Sequence, residues 1–567
     1  MLWWTLFTVL LPAIILGFTE PYSLTTVLAS LLLPGGVYLL LMRLCRRPGI
    51  GMLALFPFMF FAAFQIVIIN LFNGSVIATD MFTNLFTTTP SEAGELLGNM
   101  IPALILICAL YLPPIIIGIY LVREKVEYTA RQNVSLLRWG IGSLLCGLVC
   151  VGISEVRNSK FSIKEHIYPV NVFYNIYVSC HYWNLSENFL ESTAGFRYNP
   201  VRSALPVDSL TGQKPREIYV LVVGEASRAA SWGLFGYERN TTPNLLANKG
   251  VVPFGNVFTQ SNATHKSVPI ILSSCSAENY DSLYVRKGVV TLFKEAGFRT
   301  AFISNEPLNH SLIDYFADEA DTLIRLEPVG TDKPDSTPDG KLLEYVEQQI
   351  NSTNEDLFIV LHTYGSHFDY RKRYPKKYAR FKPDEYTSTS IRTRQELVNA
   401  YDNTIYYTDY VLDRLMRLLE KSGACSALMY CADHGEDLMD DKRERFLHAS
   451  PTTTYYQLHV ASFAWFSNLY QSLKPQIIET AKANGGKPAT SANVFPTITD
   501  IAGLSTPYVN KQESLVNPSF KVMPRQYVND HCNPIPVAYT GLTRYDVEQF
   551  EKRGLTLDGL SIELKSY

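Results

Sequence analysis

The sequence predicts a chain of two parts, five membrane-spanning helices followed by a layered α/β domain. Three observations predict this division. Of the 50 basic and 53 acidic residues, only seven basic and six acidic residues lie within residues 1–150. That first part consists of long apolar runs, whereas the rest has the charge density of a soluble protein. The second part alternates apolar β-branched runs with helix-like stretches, which is typical of α/β domains.

Five apolar runs precede residue 155, and each is close to the roughly 20 residues that a helix needs to cross the hydrocarbon core. They lie at about residues 2–18, 25–42, 51–71, 100–121 and 137–153. The first run lacks a basic leading segment and a small-residue cleavage site, so we interpret it as a retained anchor. We therefore predict a transmembrane domain over residues 1–155, with buried core helices as the alternative.

Basic residues predict the orientation of these helices. They lie in two loops, at Arg43, Arg46 and Arg47 and at Arg123, Lys125, Arg131 and Arg138. Such loops face the cytoplasm. The loop at 72–99 has no Lys or Arg and is expected on the outer side. Five crossings then place everything after residue 155 outside, which in a bacterium is the periplasm or the outer face.

The outer loop carries a polar repeat. Asn84, Thr88 and Glu92 recur every four residues, a spacing that puts them on one side of a helix. Such a stripe near the membrane surface predicts contact with a lipid headgroup. The alternative is a solvated helix face.

Residues 156–216 are polar and rich in aromatic residues, and we predict a membrane-proximal linker there. The domain at 217–567 begins with an apolar run at 217–227, and further strand-like runs follow at 300–304, 357–367 and 426–436. A long helix is predicted at 395–423. Runs without polar alternation suit strands that are buried on both faces of a parallel sheet.

Acidic and imidazole side chains follow these strands. They are Glu225, His362, His367, Asp433 and His434. Because the carboxyl ends of parallel strands meet at one edge of the sheet, these side chains are expected to converge there. Carboxylates and imidazoles are ligands of zinc-like cations. The sequence therefore predicts a metal site, with a helix cap at Asp433 as the alternative.

A metal site at this edge would also activate a hydroxyl nucleophile. Spacing leaves four candidates open, Thr264, Ser261, Ser267 and Ser227, and a structural role as a helix cap is open for each. The net charge of −3 gives no reason to expect nucleic acid as a partner.

Several segments carry a resemblance to a known family. These are VVGEASRAASWGLFGYERNTTPNL, NATHKSVP, HTYGSHFDYRKRYPKKYARF, NAYDNTIYYTD, CADHGE and LHASP. Together they resemble the phosphoethanolamine transferases of Gram-negative envelopes, which are multi-pass inner-membrane enzymes of the alkaline phosphatase/sulfatase superfamily. The resemblance spans roughly residues 50–505. It implies five transmembrane helices followed by a periplasmic sulfatase-like α/β/α domain, here at 217–567.

The resemblance also implies roles for individual residues. Glu225, Thr264, Asp433 and His434 match the zinc ligands, and Thr264 matches the nucleophile. His367 and His448 match histidines near the transferred phosphate or a second zinc ion, so one tightly bound zinc is expected and a second is left open. His310 falls where a basic residue faces the phosphate. Asn84, Thr88 and Glu92 match residues that face the lipid headgroup.

The implied reaction takes phosphoethanolamine from phosphatidylethanolamine to lipopolysaccharide, at lipid A or core, or to another envelope glycan. Gln260 and Ile270 stand where the lipid A branch has cysteines, which leaves the acceptor open. Modified lipid A would imply resistance to polymyxin-like peptides. A monomer is expected. The alternatives are a glycerol-phosphate transferase of the lipoteichoic-acid synthase type and a catalytically inactive membrane sensor. Sulfatases proper are disfavoured, because no Cys-x-Pro-x-Arg or Ser-x-Pro-x-Arg segment stands at the nucleophile position.

Overall fold

The structure is a computed structural model of the 567-residue chain. It describes all residues except 1, 21, 73–75, 88–89, 159–160, 208–211, 213, 309–310, 327–336, 387–388, 451 and 558–567, and all side chains except those and 71–72, 84–87, 90–100 and 102. The chain forms two compact units. The first comprises Met1–Leu85 and Leu96–Tyr182, and the main part of the second is Trp183–Tyr567.

The first unit is helical. Its helices are α1 (Leu2–Thr19), α2 (Leu24–Leu44), α3 (Pro48–Ala54), α4 (Phe56–Phe72), α5 (Thr79–Thr87), α6 (Pro90–Arg123), α7 (Ala130–Arg157), α8 (Ile163–His166) and α9 (Val170–Glu187). The end of α5, the start of α6 and the last residues of α9 belong to the second unit. Among the described residues, four helices are long and apolar enough to span a membrane, or five if one bent pair counts as a span. The predicted group of N-terminal membrane helices is thereby confirmed.

The bent pair is the third apolar run, which the sequence alone suggests is one helix. Helix α3 ends at Ala54 and α4 begins at Phe56, and their axes differ by 49°. Pro57 explains the break. Its ring has no N–H and clashes with the carbonyl group four residues earlier, so one helix cannot run through it undisturbed.

Helices α2 and α7 pack backbone against backbone. A Cβ atom at Gly147 would lie 2.6 Å from the backbone nitrogen of Leu33, and one at Gly36 would lie 2.7 Å from that of Leu144. Small residues at such crossings let membrane helices approach closely, and close packing is what holds helices together in lipid.

We expect Gly147→Leu to destabilise the helical unit, by about 2 kcal/mol or more, because the new side chain must push α2 away. Gly142 is the matched control, since it lies on the same helix and a Cβ there meets no atom within 4 Å. The measurement is the melting temperature of each detergent-solubilised variant. Equal melting temperatures for Gly147→Leu and Gly142→Leu would contradict the packing described here.

The stretch predicted to be a linker, 156–216, contains regular structure. Helices α8 and α9 are followed by α10 (Phe189–Thr193) and by a short strand at Val201–Arg202, which pairs with Leu504–Ser505. The domain boundaries at 155 and 216 stay predictions.

The second unit is built on a seven-stranded sheet. Its strands are β1 (Glu217–Gly224), β2 (Val251–Pro253), β3 (Arg299–Ser304), β4 (Thr322–Arg325), β5 (Leu357–His362), β6 (Cys425–Ala432) and β7 (Ser462–Phe466). Their order is β2-β7-β6-β1-β5-β3-β4. Strands β6, β1, β5, β3 and β4 are parallel, and β7 runs antiparallel to β6 and β2.

Helices complete the layers around this sheet. They are α11 (Pro243–Ala247), α12 (Thr264–Ile271), α13 (Val289–Glu295), α14 (Leu312–Ala317), α15 (Leu342–Ser352), α16 (Arg394–Lys421), α17 (Tyr455–Leu458), α18 (Asn468–Leu473), α19 (Pro475–Asn484), α20 (Val494–Ile501) and α21 (Arg544–Lys552). All side chains of β1, β5 and β6 are buried. Since successive side chains point to opposite faces, both faces of the central sheet are covered. The α/β fold class is confirmed.

Candidate active site

The central strands end side by side. The register pairs Val223 of β1 with His362 of β5, and Gly224 of β1 with Ala432 of β6. The residues that follow β1 and β6 therefore leave the sheet at the same edge. They are Glu225 on one side and Asp433 and His434 on the other, and all three are fully buried.

Two glycines allow the loops at this edge to pass close to each other. A Cβ atom at Gly365 would lie 2.7 Å from the carbonyl oxygen of Glu225, and Gly365 has a φ of +47°. A Cβ at Gly435 would lie 1.9 Å from the carbonyl oxygen of Tyr456. The approach of the loops thus requires glycine at both positions.

The predicted ligands meet around the ring of His434. Its Nε2 lies 3.1 Å from Thr264 Oγ1, 3.2 Å from Asp433 Oδ2 and 3.5 Å from Glu225 Oε1. Candidate ligand atoms of Glu225, His434 and His448 also lie within 4.8 Å of one another. The structure thus brings together all four residues matched to zinc ligands, with His448 next to them.

The chemistry of this cluster fits a cation. Both carboxylate oxygens of Glu225 are buried and have no hydrogen-bond partner among the described residues. Burial and the neighbouring Asp433 carboxylate raise the pKa of Glu225 well above its ordinary value. A buried carboxylate without a donor is costly, and a bound metal ion would satisfy it. Oxygen and imidazole ligands of this kind suit zinc.

The four candidate hydroxyls differ in their surroundings. Ser227 Oγ accepts a hydrogen bond from the Trp232 indole at 2.9 Å, and Ser267 Oγ donates to the carbonyl oxygen of Ala263 at 3.1 Å. Ser261 Oγ accepts from the backbone N–H of Ala263. Ser227 and Ser261 support local structure, and Ser267 Oγ also lies 3.4 Å from Asp433 Oδ2.

Thr264, by contrast, is the first residue of α12, and its hydroxyl group faces His434.

His448 is held by a residue that spacing did not single out. A two-residue pairing of Asp437–Leu438 with Phe446–Leu447 folds the chain back and places His448 beside Glu436. His448 Nδ1 lies 2.7 Å from Glu436 Oε2, and the Tyr370 hydroxyl donates to Glu436 Oε1 at 2.8 Å. Glu436 belongs to the Asp-His-Gly-Glu segment of the sequence. Its contact with His448 depends on the turn of the chain between them, which spacing does not predict.

Burial determines the protonation of this pair. It raises the pKa of Glu436 to about 8 and lowers that of His448 to about 4. Because Nδ1 of His448 contacts Glu436, Nε2 is the ring nitrogen that can interact with the cluster around His434. The rings of His448 and His434 lie 3.9 Å apart.

The remaining predicted residues fall in three groups. The His367 ring lies 6.4 Å from that of His448, and its Nδ1 is 2.6 Å from the carbonyl oxygen of Phe368. His362 is not a member of the cluster, because its Nδ1 faces Ser304 Oγ at 3.3 Å. Lying outside the described residues or side chains are His310, Asn84, Thr88 and Glu92.

We expect Glu436→Gln to lower activity by about 10- to 100-fold, because the partner that orients a site histidine is typically worth this much. The amide keeps the size of the side chain but cannot exchange a proton with His448. The measurement is the turnover rate together with the zinc content of the purified protein. Wild-type turnover in the variant would show that Glu436 does not orient His448.

Known proteins resemble both units. The phosphoethanolamine transferase EptA of Escherichia coli (strain K12) is 27% identical over 467 residues, which cover 78% of this chain and 81% of that protein. The structure of the integral membrane protein lipooligosaccharide phosphoethanolamine transferase A (EptA) from Neisseria meningitidis matches 90% of this chain and 97% of its own, with a TM-score of 0.71 and 23% identity. At this identity the second likeness shows the fold.

The second unit alone also has structural relatives. The C-terminal periplasmic domain of EcEptC from Escherichia coli, in complex with Zn, covers 60% of this chain and 97% of its own length, with a TM-score of 0.53 and 24% identity. The family model described as Sulfatase matches residues 217–504, about half of the chain, and includes every member of the cluster around His434. The chain therefore belongs to the sulfatase family.

Proposed function

We propose that this protein transfers phosphoethanolamine from phosphatidylethanolamine to lipopolysaccharide, or to another envelope glycan, through a covalent intermediate on Thr264. The observation that carries the proposal is the position of the Thr264 hydroxyl, 3.1 Å from His434 Nε2, which itself lies 3.2 Å from Asp433 and 3.5 Å from Glu225. A hydroxyl at the first residue of a helix, within a cluster of metal-ligand type, is suited to attack phosphorus. The curated relative EptA bears the name of this transferase.

Two displacements make up the proposed reaction. In the first, Thr264 Oγ1 forms a bond to the donor phosphorus and the bond to the diacylglycerol oxygen breaks. In the second, an acceptor oxygen attacks the phosphorus and the bond to Thr264 Oγ1 breaks. In the first displacement Thr264 loses a proton and diacylglycerol gains one. In the second, the acceptor loses a proton and the Thr264 hydroxyl gains one.

The chain's own residues supply binding and proton transfer. Glu225, Asp433, His434 and Thr264 would hold one zinc ion, with a second left open. When bound, zinc stabilises negative charge on oxygen and lowers the pKa of a hydroxyl. His448 Nε2 is the atom that we propose carries the proton, because Nδ1 is engaged by Glu436. His367 lies next to His448 and would face the transferred phosphoryl group.

The membrane helices support a lipid donor. A site tethered to a bilayer meets phosphatidylethanolamine at high effective concentration. We propose a monomeric, multi-pass protein of the bacterial inner membrane with the second unit in the periplasm. We also propose that the lipid headgroup is contacted by Asn84, Thr88 and Glu92, and that the phosphate is contacted by His310.

The test is mass spectrometry of lipid A, core oligosaccharide and periplasmic glucans from cells with and without the gene. A phosphoethanolamine increment that depends on Thr264 supports the proposal, and its position identifies the acceptor. An increment on lipid A should also raise tolerance to polymyxin-like peptides, since the added ammonium group reduces the negative surface charge. No increment on any of them would overturn the transfer.

The donor distinguishes this proposal from its alternatives. Purified protein should release diacylglycerol from phosphatidylethanolamine. Release from phosphatidylglycerol instead would indicate a glycerol-phosphate transferase, and release from neither would indicate a catalytically inactive sensor.

A further inference from the structure

The C-terminal part of the chain lies beyond the family match, which ends at residue 504. It contains a short hairpin of Gln526–Val528 with Pro534–Pro536, followed by α21. This part packs into the second unit through a buried apolar cluster. The cluster joins Tyr527, Val537, Leu542, Phe550 and Leu555 to Ala230, Phe258, Tyr455 and Leu458.

The hairpin contacts the loop that leads into the nucleophile. The Tyr527 hydroxyl donates to Asn262 Oδ1 at 2.6 Å and accepts from the Asn262 backbone N–H at 3.2 Å. The next residue, Val528, donates its backbone N–H to the carbonyl oxygen of Gln260 at 2.7 Å. Asn262 is two residues before Thr264 and is buried. A bidentate contact of this kind fixes the direction in which the backbone enters α12.

The hairpin also contacts the other side of the nucleophile. Lys266, two residues after Thr264, is 2% exposed. Its ammonium group donates to the carbonyl oxygens of Asn529 at 3.2 Å and Asp530 at 3.4 Å. Residues 527–530 therefore contact the chain both two residues before Thr264 and two residues after it.

Asn262 extends this contact to the histidine side of the site. Its carbonyl oxygen accepts from the backbone N–H of Ala449 at 3.1 Å, and its amide donates to the carbonyl oxygen of Ser450 at 2.9 Å. Ala449 follows His448 directly. Tyr527 thus acts through one residue on both the nucleophile loop and the loop of His448.

No cysteine lies between Gln260 and Ile270, so no disulfide bond within this stretch holds the loop. We propose that the C-terminal hairpin, through Tyr527 and the carbonyl groups of Asn529 and Asp530, positions Thr264 for attack. Tyr527 and Lys266 act on Thr264 through the protein chain and are therefore positioning residues. This inference rests on the proposed function, since it concerns the same threonine.

The experiment compares three full-length variants, Tyr527→Phe, Lys266→Met and Tyr545→Phe. The first two remove the contacts to either side of Thr264 and keep the apolar bulk. Tyr545 is the matched control, because it lies in the same C-terminal part but bonds Tyr456 and the carbonyl oxygen of Asp440. The measurements are the rate of phosphoethanolamine attachment to Thr264 in a single turnover with phosphatidylethanolamine vesicles, kcat, KM and the melting temperature.

We expect Tyr527→Phe and Lys266→Met to slow attachment and kcat by about 10- to 100-fold, as misplacement by about 1 Å does. KM should change less than about twofold. Tyr545→Phe should react like the wild type. If Tyr527→Phe attaches as fast as Tyr545→Phe, or if its loss is recovered when the assay is cooled well below the melting temperature, the hairpin does not position Thr264. If the wild type itself never modifies Thr264, the proposed function fails instead.

Discussion

Thr264→Ala is expected to abolish phosphoethanolamine transfer, with a loss of roughly 10³-fold or more in turnover, as the removal of a covalent nucleophile does. The residue begins α12, and no side-chain cap depends on its hydroxyl group. The variant should therefore fold and melt like the wild type. The measurement is diacylglycerol release from phosphatidylethanolamine, with mass spectrometry of the peptide that contains residue 264.

Two further variants make this result specific. Thr264→Ser keeps a hydroxyl and should retain measurable transfer, with the phosphoethanolamine mass on the serine. Ser261→Ala removes a neighbouring hydroxyl that accepts from the backbone N–H of Ala263, and it should stay active. Full activity of Thr264→Ala, or a covalent adduct on another residue, would eliminate the proposed intermediate.

Glu225→Gln is expected to lose the metal and, with it, nearly all turnover. The carboxylate oxygens of Glu225 are buried without a hydrogen-bond partner among the described residues, so a bound cation is their natural counter-charge. Zinc added to the wild type should raise the melting temperature, because a ligand that binds only the folded state stabilises it. This rise should be absent in the variant. Without metal, the variant should melt no lower than the wild type, since it lacks a buried acidic group.

The matched control lies at the other end of the same strand. Glu217 is also buried, but it accepts from Arg202 at 2.6 Å and from the Tyr219 hydroxyl at 2.7 Å. Glu217→Gln should lower the free energy of unfolding by about 1–2 kcal/mol, because hydrogen bonds to a charged group are weakened, and leave the zinc content unchanged. Elemental analysis measures the zinc content of each variant directly. A full zinc complement in Glu225→Gln would refute the assigned ligand set, as would a chelated wild type that remains active.

The sequence predicts both the membrane helices and the convergence of the candidate metal ligands for physical reasons. A bilayer demands long apolar runs, so the N-terminal helices follow from composition. Parallel strands carry their last residues to one edge of the sheet, so the sequence predicts that Glu225, Asp433 and His434 lie together. The break at Leu55 was missed, although Pro57 marks it.

Other features of the site depend on contacts that spacing does not encode. Thr264 and three serines were equal by spacing, and the resemblance to a family, not the pattern, selected one. Glu436 meets His448 only because a hairpin returns the chain. Tyr527 meets Asn262 across 265 residues, a separation over which no local pattern carries information.

That separation also has a consequence for the timing of synthesis. A ribosome adds about 5–20 residues per second, so the 265 residues between Asn262 and Tyr527 take roughly 13–50 s to make. During this interval the strands around Glu225 can already form, while the last contacts to the loop of Thr264 do not yet exist. If phosphatidylethanolamine is the donor, as proposed, a growing chain with its N-terminal helices in the bilayer meets the donor before Thr264 is fixed. A chain that ends before Tyr527 would therefore lack the contacts that we propose position Thr264.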